Sequence, residues 1–344
     1  MTPPPLTQRL FEALARGSDT AASGPAPFRS GEHLAVQLAV SRSAVWKAAA
    51  QLRELGVEIQ ALPRQGYRLR RRVSLLHPER LRAQLSAASL ATLRGADCRW
   101  MTGSTNADLL AQGGLEPGQF DVLTAEYQSA GRGRRGRRWL APPGGAICLS
   151  WSYCFDVLPP QSSALSLAVG VTALRALARC GIAGVRLKWP NDLVTEQGKL
   201  GGILIELKSE SGGPTQLVVG IGLNVSLGGA TTRDVAATGN RATDLEALGY
   251  QGVDRNALVA SLVDCGVAGL REFAGSGFDS FIAEYRAADV LAGEPVTVSG
   301  AMQSLDGRAE GIEADGALLV RTADGLQRIV SGDVSVRRAP QPSP

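Results

Sequence analysis

The sequence is short of nearly everything from which common hydrolytic and metal centres are made. His33 and His77 are its only 2 histidines in 344 residues. A Ser/His/Asp triad or a histidine-based catalytic zinc therefore has nothing to be built on. The 5 cysteines (Cys98, Cys148, Cys154, Cys180 and Cys265) are odd in number and show no CxxC spacing. That pattern speaks against a disulfide framework or thiolate metal site and for a reducing compartment. Cys148 and Cys154 fall in an apolar, strand-like run and read as buried thiols. No apolar run is long enough to span a bilayer, and Met-Thr-Pro-Pro-Pro at the start lacks the features of a secretory signal. The expectation is a soluble, cytoplasmic protein. Charge of one sign is also scarce: 36 basic against 32 acidic residues leave only +4. Net charge thus does not mark a nucleic-acid binder, although a local patch can.

What is present is ordinary globular material, 44% hydrophobic and 20% charged, on a chain long enough for about two or three domains. Leu6, Leu10 and Leu14 share one helix face, and a Ser/Gly/Pro/Ala-rich loop over residues 20–27 ends that helix. Residues 31–38 form a short second helix, and Ala39-Val-Ser41 a tight connection. Ser41 is a natural N-cap for a third helix running to about Leu55. Val45, Ala49, Leu52 and Leu55 lie on its inner face, which sends Arg42, Ser43, Trp46 and Lys47 outward. Gly56 stops it, and residues 57–69 read as two strands around a turn at 63–66. That order is a winged helix-turn-helix. Arg68, Arg70, Arg71 and Arg72 mark a boundary.

From residue 73 to 286 strands mix with helices. Strands are predicted at 122–125, 146–153, 185–188, 200–207 and 216–223, and apolar helices at 165–180 and 258–273. With helices between only some strands, α+β is favoured over a doubly wound parallel sheet. Four short strands follow, at 295–299, 308–312, 317–322 and 326–330. Asp306-Gly307, Asp315-Gly316 and Asp324-Gly325 stand between them as turn signals. They predict a β-meander or small SH3-like barrel, with residues 339–344 a frayed tail. The domains are expected at 1–72, 73–286 and 287–338.

Four segments carry possible chemistry. Arg132-Gly-Arg-Arg-Gly-Arg-Arg138 follows a predicted strand, where α/β folds place ligand sites. Guanidinium forks and glycine backbone N–H groups suit phosphate or carboxylate. The same charges also fit a solvated basic loop, and the Walker pattern is absent. Lys188 ends a strand that Pro190 stops, with Asn191 and Asp192 directly after. It is either a surface charge or part of an anion or metal–phosphate site. Ser104, Thr105 and Asn106 open a helix, as a cap or as a binder of small polar groups. Gly220-Ile-Gly-Leu-Asn224 is either a turn or a close backbone approach.

Taken together and in this order, Ser104-Thr-Asn106, Glu126-Tyr-Gln-Ser-Ala-Gly-Arg-Gly-Arg-Arg-Gly-Arg-Arg-Trp139, Lys188-Trp-Pro-Asn-Asp192, Lys199-Leu-Gly-Gly-Ile-Leu-Ile-Glu206 and Gly220-Ile-Gly-Leu-Asn224 resemble the biotin–protein ligases. With the N-terminal unit, the whole resembles the bifunctional ligase/biotin-operon repressors. The resemblance implies a winged helix-turn-helix, a mixed α/β catalytic domain of the biotin/lipoate ligase type and a small SH3-like β domain. It implies biotin, ATP and Mg2+, biotinyl-5′-AMP as intermediate, and transfer to a lysine of a biotin carboxyl carrier protein. It implies that Lys188 bridges the biotin carboxylate and the α-phosphate, and that Arg132, Gly133 and Arg134 close over the adenylate. Ser104, Thr105, Asn106 and Gln128 would hold the ureido head, with Gly202, Ile203 and Gly222 shaping the wall. Trp139 either orders the loop over the ligand or simply packs. Asn191 and Asp192 orient either Lys188 or the metal. Arg42, Ser43, Trp46 and Lys47 would face operator DNA in a homodimer linked to ligand. Two other readings stay open: a lipoate-type acyl ligase, and a transcription factor that senses a small ligand without ligase activity.

Overall fold

Helix α1 (Leu6–Ala15) seals a small N-terminal core by burying Leu10, Phe11 and Leu14. Leu6 is only half-buried at its outer end. In this computed structural model residues 4–16, 26–209, 213–238, 241–299, 304–330 and 335–338 are described. Residues 20–25 of the expected loop and the expected tail at 339–344 lie outside them. Helix α2 (Gly31–Leu38) starts on Ser30, whose side chain accepts from His33 N, and ends on Ala39 at φ 53°. Helix α3 (Arg42–Glu54) starts on Ser41, which accepts from Ala44 N at 3.2 Å. Val45, Ala49 and Leu52 are buried as expected, joined by Ala48, while Leu55 is half-buried. Strands β1 (Ile59–Leu62) and β2 (Gly66–Leu69) make the antiparallel wing, Ile59 opposite Leu69.

The central module begins with α4 (Pro78–Gln84), α5 (Ala87–Leu90), β3 (Leu93–Thr102), α6 (Thr105–Gln112), β4 (Phe120–Gln128) and β5 (Ala146–Phe155). It continues with α7 (Leu165–Arg179), β6 (Arg186–Lys188), β7 (Asp192–Thr195), β8 (Gly198–Ser209) and β9 (Thr215–Asn224). Helices α8 (Gly228–Ala237), α9 (Arg255–Ser276) and α10 (Asp279–Ala288) complete it. The strands form one seven-stranded sheet, ordered β3-β4-β5-β9-β8-β7-β6. Only β3 and β4 run parallel; the other neighbours are antiparallel. This is the α+β arrangement anticipated. All ten residues of β5, which lies inside the sheet between β4 and β9, are buried. On one face α9 packs over β5, with its Gly266 seated on Trp151, and α7 packs over β6 and β8. On the other lies the short α6, which leaves much of that face open. The alternation of β3 is broken by Arg94, Asp97 and Arg99, which is why no strand was anticipated there.

The last module is a five-stranded antiparallel sheet ordered β13-β12-β11-β10-β14. Its strands are β10 (Pro295–Ser299), β11 (Ser304–Ile312), β12 (Leu318–Thr322), β13 (Gly325–Ile329) and β14 (Ser335–Arg338). Two of the three Asp-Gly signals mark turns: Asp315-Gly316 lies in one, and Ala323-Asp324 turns into Gly325. Asp306-Gly307 does not. It sits inside β11, opposite Thr297 and Val296. A Cβ at residue 307 would stand 2.5 Å from the Arg321 carbonyl oxygen, so this glycine serves close strand approach rather than a turn. Asp306 accepts from the Thr297 hydroxyl across the pair. Among the described residues of this module, β14 is the strand without a sequence-based counterpart.

One buried ion pair ties these pieces together. Arg255, 1% exposed, donates from Nη1 to Glu126 Oε2 at 2.6 Å and from Nη2 to the Ala146 carbonyl at 2.7 Å. It also reaches the Ser74 carbonyl, and Glu126 Oε1 accepts from Leu76 N at 2.9 Å. The neighbouring Asn256 clamps the same segment, donating to the Leu75 carbonyl and accepting from His77 N. The first turn of α9 thereby holds the end of β4, the start of β5 and the connection to the winged helix. Removing one partner strands the other charge in the core. Arg255→Leu is therefore expected to lower stability by about 3–5 kcal/mol, read by urea denaturation. A loss below about 1 kcal/mol would show that the pair behaves like a surface one.

Candidate functional site

The open face of the central sheet, beside α6, forms the floor of a cleft of about 1520 Å³. Small-molecule pockets commonly measure about 300–1,000 Å³, so this one has room for two joined ligands. Its lining includes Ser104, Thr105, Asn106, Gln128, Arg132, Gly133, Arg134, Lys188, Gly202, Ile203 and Gly222. The fold thus brings together residues that span more than a hundred positions of chain. The reason is topological: β4, β6 and α6 all present an end on the same side.

At the head of α6, Ser104 acts as N-cap and accepts from Ala107 N. Thr105 donates its backbone N–H to Gln128 Oε1 at 2.8 Å, which fixes the Gln128 amide at the end of β4. Asn106 is 3% exposed and lies flat on the sheet over Gly220. Any Cβ at 220 would collide with the Asn106 amide. Two strand positions on, a Cβ at Gly222 would stand 2.5 Å from the Trp139 ring. The Gly220-x-Gly222 pair is therefore neither a turn nor a phosphate cradle. It is two seats in a strand, one for Asn106 and one for Trp139. Cys148, opposite Gly222 on β5, lines the cleft; burial pushes its thiol up to about 11, so it is an uncharged wall.

The arginine segment folds back on itself. Arg132 bridges Arg138, Gly133 N donates to the Arg137 carbonyl at 2.7 Å, and Trp139 N to the Gly131 carbonyl at 2.9 Å. The reversal needs left-handed backbone at Arg135 (φ 58°) and Gly136 (φ 67°). At the tip Arg135 Nη1 reaches the Ser299 carbonyl of β10, so the loop touches the last module. Arg132 is exposed while Arg134 is half-buried, and both line the cleft. Trp139 packs against the sheet at the base of the loop, and its buried indole Nε1 has no partner.

Lys188 is the last residue of β6 and lies directly opposite Asp192 on β7. Asp192 accepts from Lys199 Nζ at 2.5 Å. Asn191 donates to the Ile203 carbonyl at 2.6 Å and receives the Ile203 N–H in return. Asp192 is thus paired with a lysine, and Asn191 pins β8 beside the cleft. On the N-terminal unit, Arg42, Ser43, Trp46 and Lys47 all project outward from α3, with Trp46 59% exposed. Sequence reasoning missed Ser150 and Glu206. Ser150 Oγ donates to Asn106 Oδ1 at 2.6 Å, and Asn106 Nδ2 donates to Glu206 Oε2 at 2.8 Å. Glu206 closes the Lys199–Glu206 motif, but only the sheet register shows what it touches.

The glycine seats yield a direct check. Gly222→Ala forces Trp139 off the sheet, an overpacking worth about 1–3 kcal/mol. It should red-shift the tryptophan emission and weaken ligand binding in the cleft. An unaltered emission spectrum would mean that Trp139 does not rest on Gly222.

Residues 101–224 match the Biotin/lipoate A/B protein ligase family. Residues 292–337 match the Biotin protein ligase C terminal domain, and residues 25–68 an HTH domain. The bifunctional ligase/repressor BirA of Salmonella typhimurium is 35% identical over 91% of this chain and 94% of its own. Its Escherichia coli counterpart is 34% identical over the same shares. Among solved structures, the biotin protein ligase from Aquifex aeolicus in complex with biotin and ATP superposes with a TM-score of 0.58 at 27% identity, covering 72% of this chain and all of that one. Similarity that runs from the helix-turn-helix through the cleft to the last sheet leaves one assignment: the chain belongs to the biotin–protein ligase family, among its bifunctional ligase/repressors.

Proposed function

We propose that the protein is an ATP-dependent biotin–[biotin carboxyl carrier protein] ligase of the cytoplasm and, through its winged helix, a biotin-responsive repressor. The modules divide at 1–72, 73–286 and 287–338. One observation carries the ligase: a single cleft joins the hydroxyl-and-amide pocket of Ser104, Thr105, Asn106 and Gln128 to the cations Lys188, Arg132 and Arg134. The first group suits an uncharged, hydrogen-bonding head; the second suits two anions brought together.

The chemistry needs no base to begin. A biotin carboxylate oxygen attacks the α-phosphorus of ATP; the new O–P bond forms as the bond to pyrophosphate breaks. Bringing two anions together is the obstacle, so fixed positive charge and positioning are the appropriate means. Lys188 bridges the carboxylate and the α-phosphate. Arg132 and Arg134, with the Gly133 backbone between them, close over the adenylate and exclude water. Gly202, Ile203 and Gly222 form the wall, the two glycines letting Lys199 and Trp139 lie close against the strands. In the second step the carrier lysine amine attacks the acyl carbon and loses a proton, and AMP leaves. Among the described residues no three His, Cys, Asp or Glu side chains converge on a metal position. When bound, Mg2+ would neutralise charge on the triphosphate, and no side chain is assigned to it.

Incubation with ATP, labelled biotin or lipoate, and a carrier domain tests the ligase. Label from biotin should appear on the carrier, and Lys188→Ala should cut transfer on the order of 10²–10³-fold. Label from lipoate instead would move the chain to the other half of its family. Ligand-dependent DNA binding without any transfer would make it a sensor alone.

For the repressor, Arg42, Ser43, Trp46 and Lys47 form the groove-facing surface. Closure of the arginine loop over the adenylate favours the homodimer that binds operator DNA. Adding biotin and ATP should raise both dimer content and DNA affinity. Lys47→Ala should weaken DNA binding and flatten its salt dependence while carrier biotinylation stays intact. Unchanged oligomeric state and unchanged DNA affinity on adding both ligands would overturn the linkage.

A further inference from the structure

Under the head of α6 runs a line of polar groups, Glu206, Asn106, Ser150, Thr105 and Gln128, half-buried at its two ends and buried at the three between. Its direction can be worked out from one end. Glu206 presents a carboxylate, and the Leu204 carbonyl lies 3.3 Å from the same Asn106 atom; both are acceptors. The Asn106 amide must therefore turn its NH2 towards them and its oxygen towards Ser150. That oxygen only accepts, so the single Ser150 proton goes to it, at 2.6 Å. Thr105 Oγ1 and Ser150 Oγ are also 2.6 Å apart. With the Ser150 proton committed, the proton between them belongs to Thr105. Gln128 Oε1, which accepts from the Thr105 backbone N–H, lies 3.1 Å from Thr105 Oγ1 and is a second, longer acceptor for the same hydroxyl proton. Thr105 is then left with lone pairs and no proton to offer the cleft that it lines.

We propose that Glu206, which does not itself line the cleft, is a positioning residue that sets Thr105 as a hydrogen-bond acceptor and so selects a ligand head carrying an N–H donor. This rests on the ligase reading above and adds the origin of its selectivity. A cyclic urea brings two such donors, whereas a dithiolane ring brings none. A ligand without the donor would leave the Thr105 oxygen unsatisfied in a buried place. The residue acts through its acceptor atoms, so a neutral acceptor should serve as well.

The experiment is calorimetric binding of biotin, and of its two mono-N-methylated ureido analogues, to the full chain. The variants are Glu206→Leu and Glu206→Gln. Glu206→Leu should weaken biotin roughly tenfold or more. It should narrow by a similar factor the preference for biotin over the analogue whose methyl replaces the N–H at Thr105. The half-saturating ATP concentration in pyrophosphate exchange at saturating biotin should not move. Glu206→Gln should behave like the parent protein. Should Glu206→Leu not fold, Ser150→Ala against Ser150→Thr makes the same comparison, the hydroxyl being lost or kept. Biotin affinity and preference within twofold of the parent in the disrupting variant would overturn the proposal. So would equal losses for biotin and both analogues, or a Glu206→Gln as weak as Glu206→Leu. Failure of the parent protein to bind biotin would instead overturn the ligase reading.

Discussion

Everything on the open face of the central sheet depends on a charge pair buried on its other face. Glu126 lies two residues before the end of β4, and the arginine loop leaves from that end. Arg255 holds it, and with the same guanidinium holds Ala146, the first residue of β5 and the landing point after the loop. Both roots of the loop are thus fixed from beneath. A guanidinium does this where a lysine would not, since its planar fork donates in several directions at once. The cost of taking both charges out of water is offset by these further hydrogen bonds. The same pair holds the connection at Ser74 and Leu76, so the winged helix is joined to the catalytic sheet at the point where the ligand loop is anchored.

The open face works by omission. A sheet face with large side chains throughout would have to be covered, and here the cover is a helix of eight residues. Glycines at 202, 220 and 222 lower the floor, so Asn106 and Trp139 can lie flat and a ligand can enter. Lys188 and the arginine loop add positive charge to the lining, beside the Asp192–Lys199 pair. The floor is neutral, with the Cys148 thiol held protonated by burial. On the ligase reading proposed above, a polar head held beside Asn106 and reacting anions met by Lys188 and the arginine loop make a division of labour that low dielectric makes effective.

Much of this was legible in the chain because its signals are local. Ser41, Ala39 and Gly56 bound the helices of the N-terminal unit through capping and left-handed geometry, which depend on few neighbours. The arginine loop and Lys188 stood out because strand ends and proline stops can be read from adjacent residues. The Asp306-Gly307 signal misled for the converse reason. A dipeptide that permits a hairpin turn also permits close packing of strands, and only Arg321 and Val320 across the pair decide between them. The roles of Ser150 and of Glu206, which only closes a motif in the sequence, were not legible there; each acquires meaning from a partner tens of positions away.

The sequence by itself determined the order of the modules, the helix limits of the winged helix and two charged segments that line the cleft. Periodicity, caps and motif spacing are properties of short stretches, so folding leaves them unchanged. Only the tertiary structure decided that Gly220 and Gly222 are seats rather than a turn, and that Asp192 serves Lys199. It also decided the direction in which the polar line from Glu206 to Thr105 runs. Those outcomes depend on which strands pair and in what register, and register is settled by burial over the whole sheet rather than by any one segment.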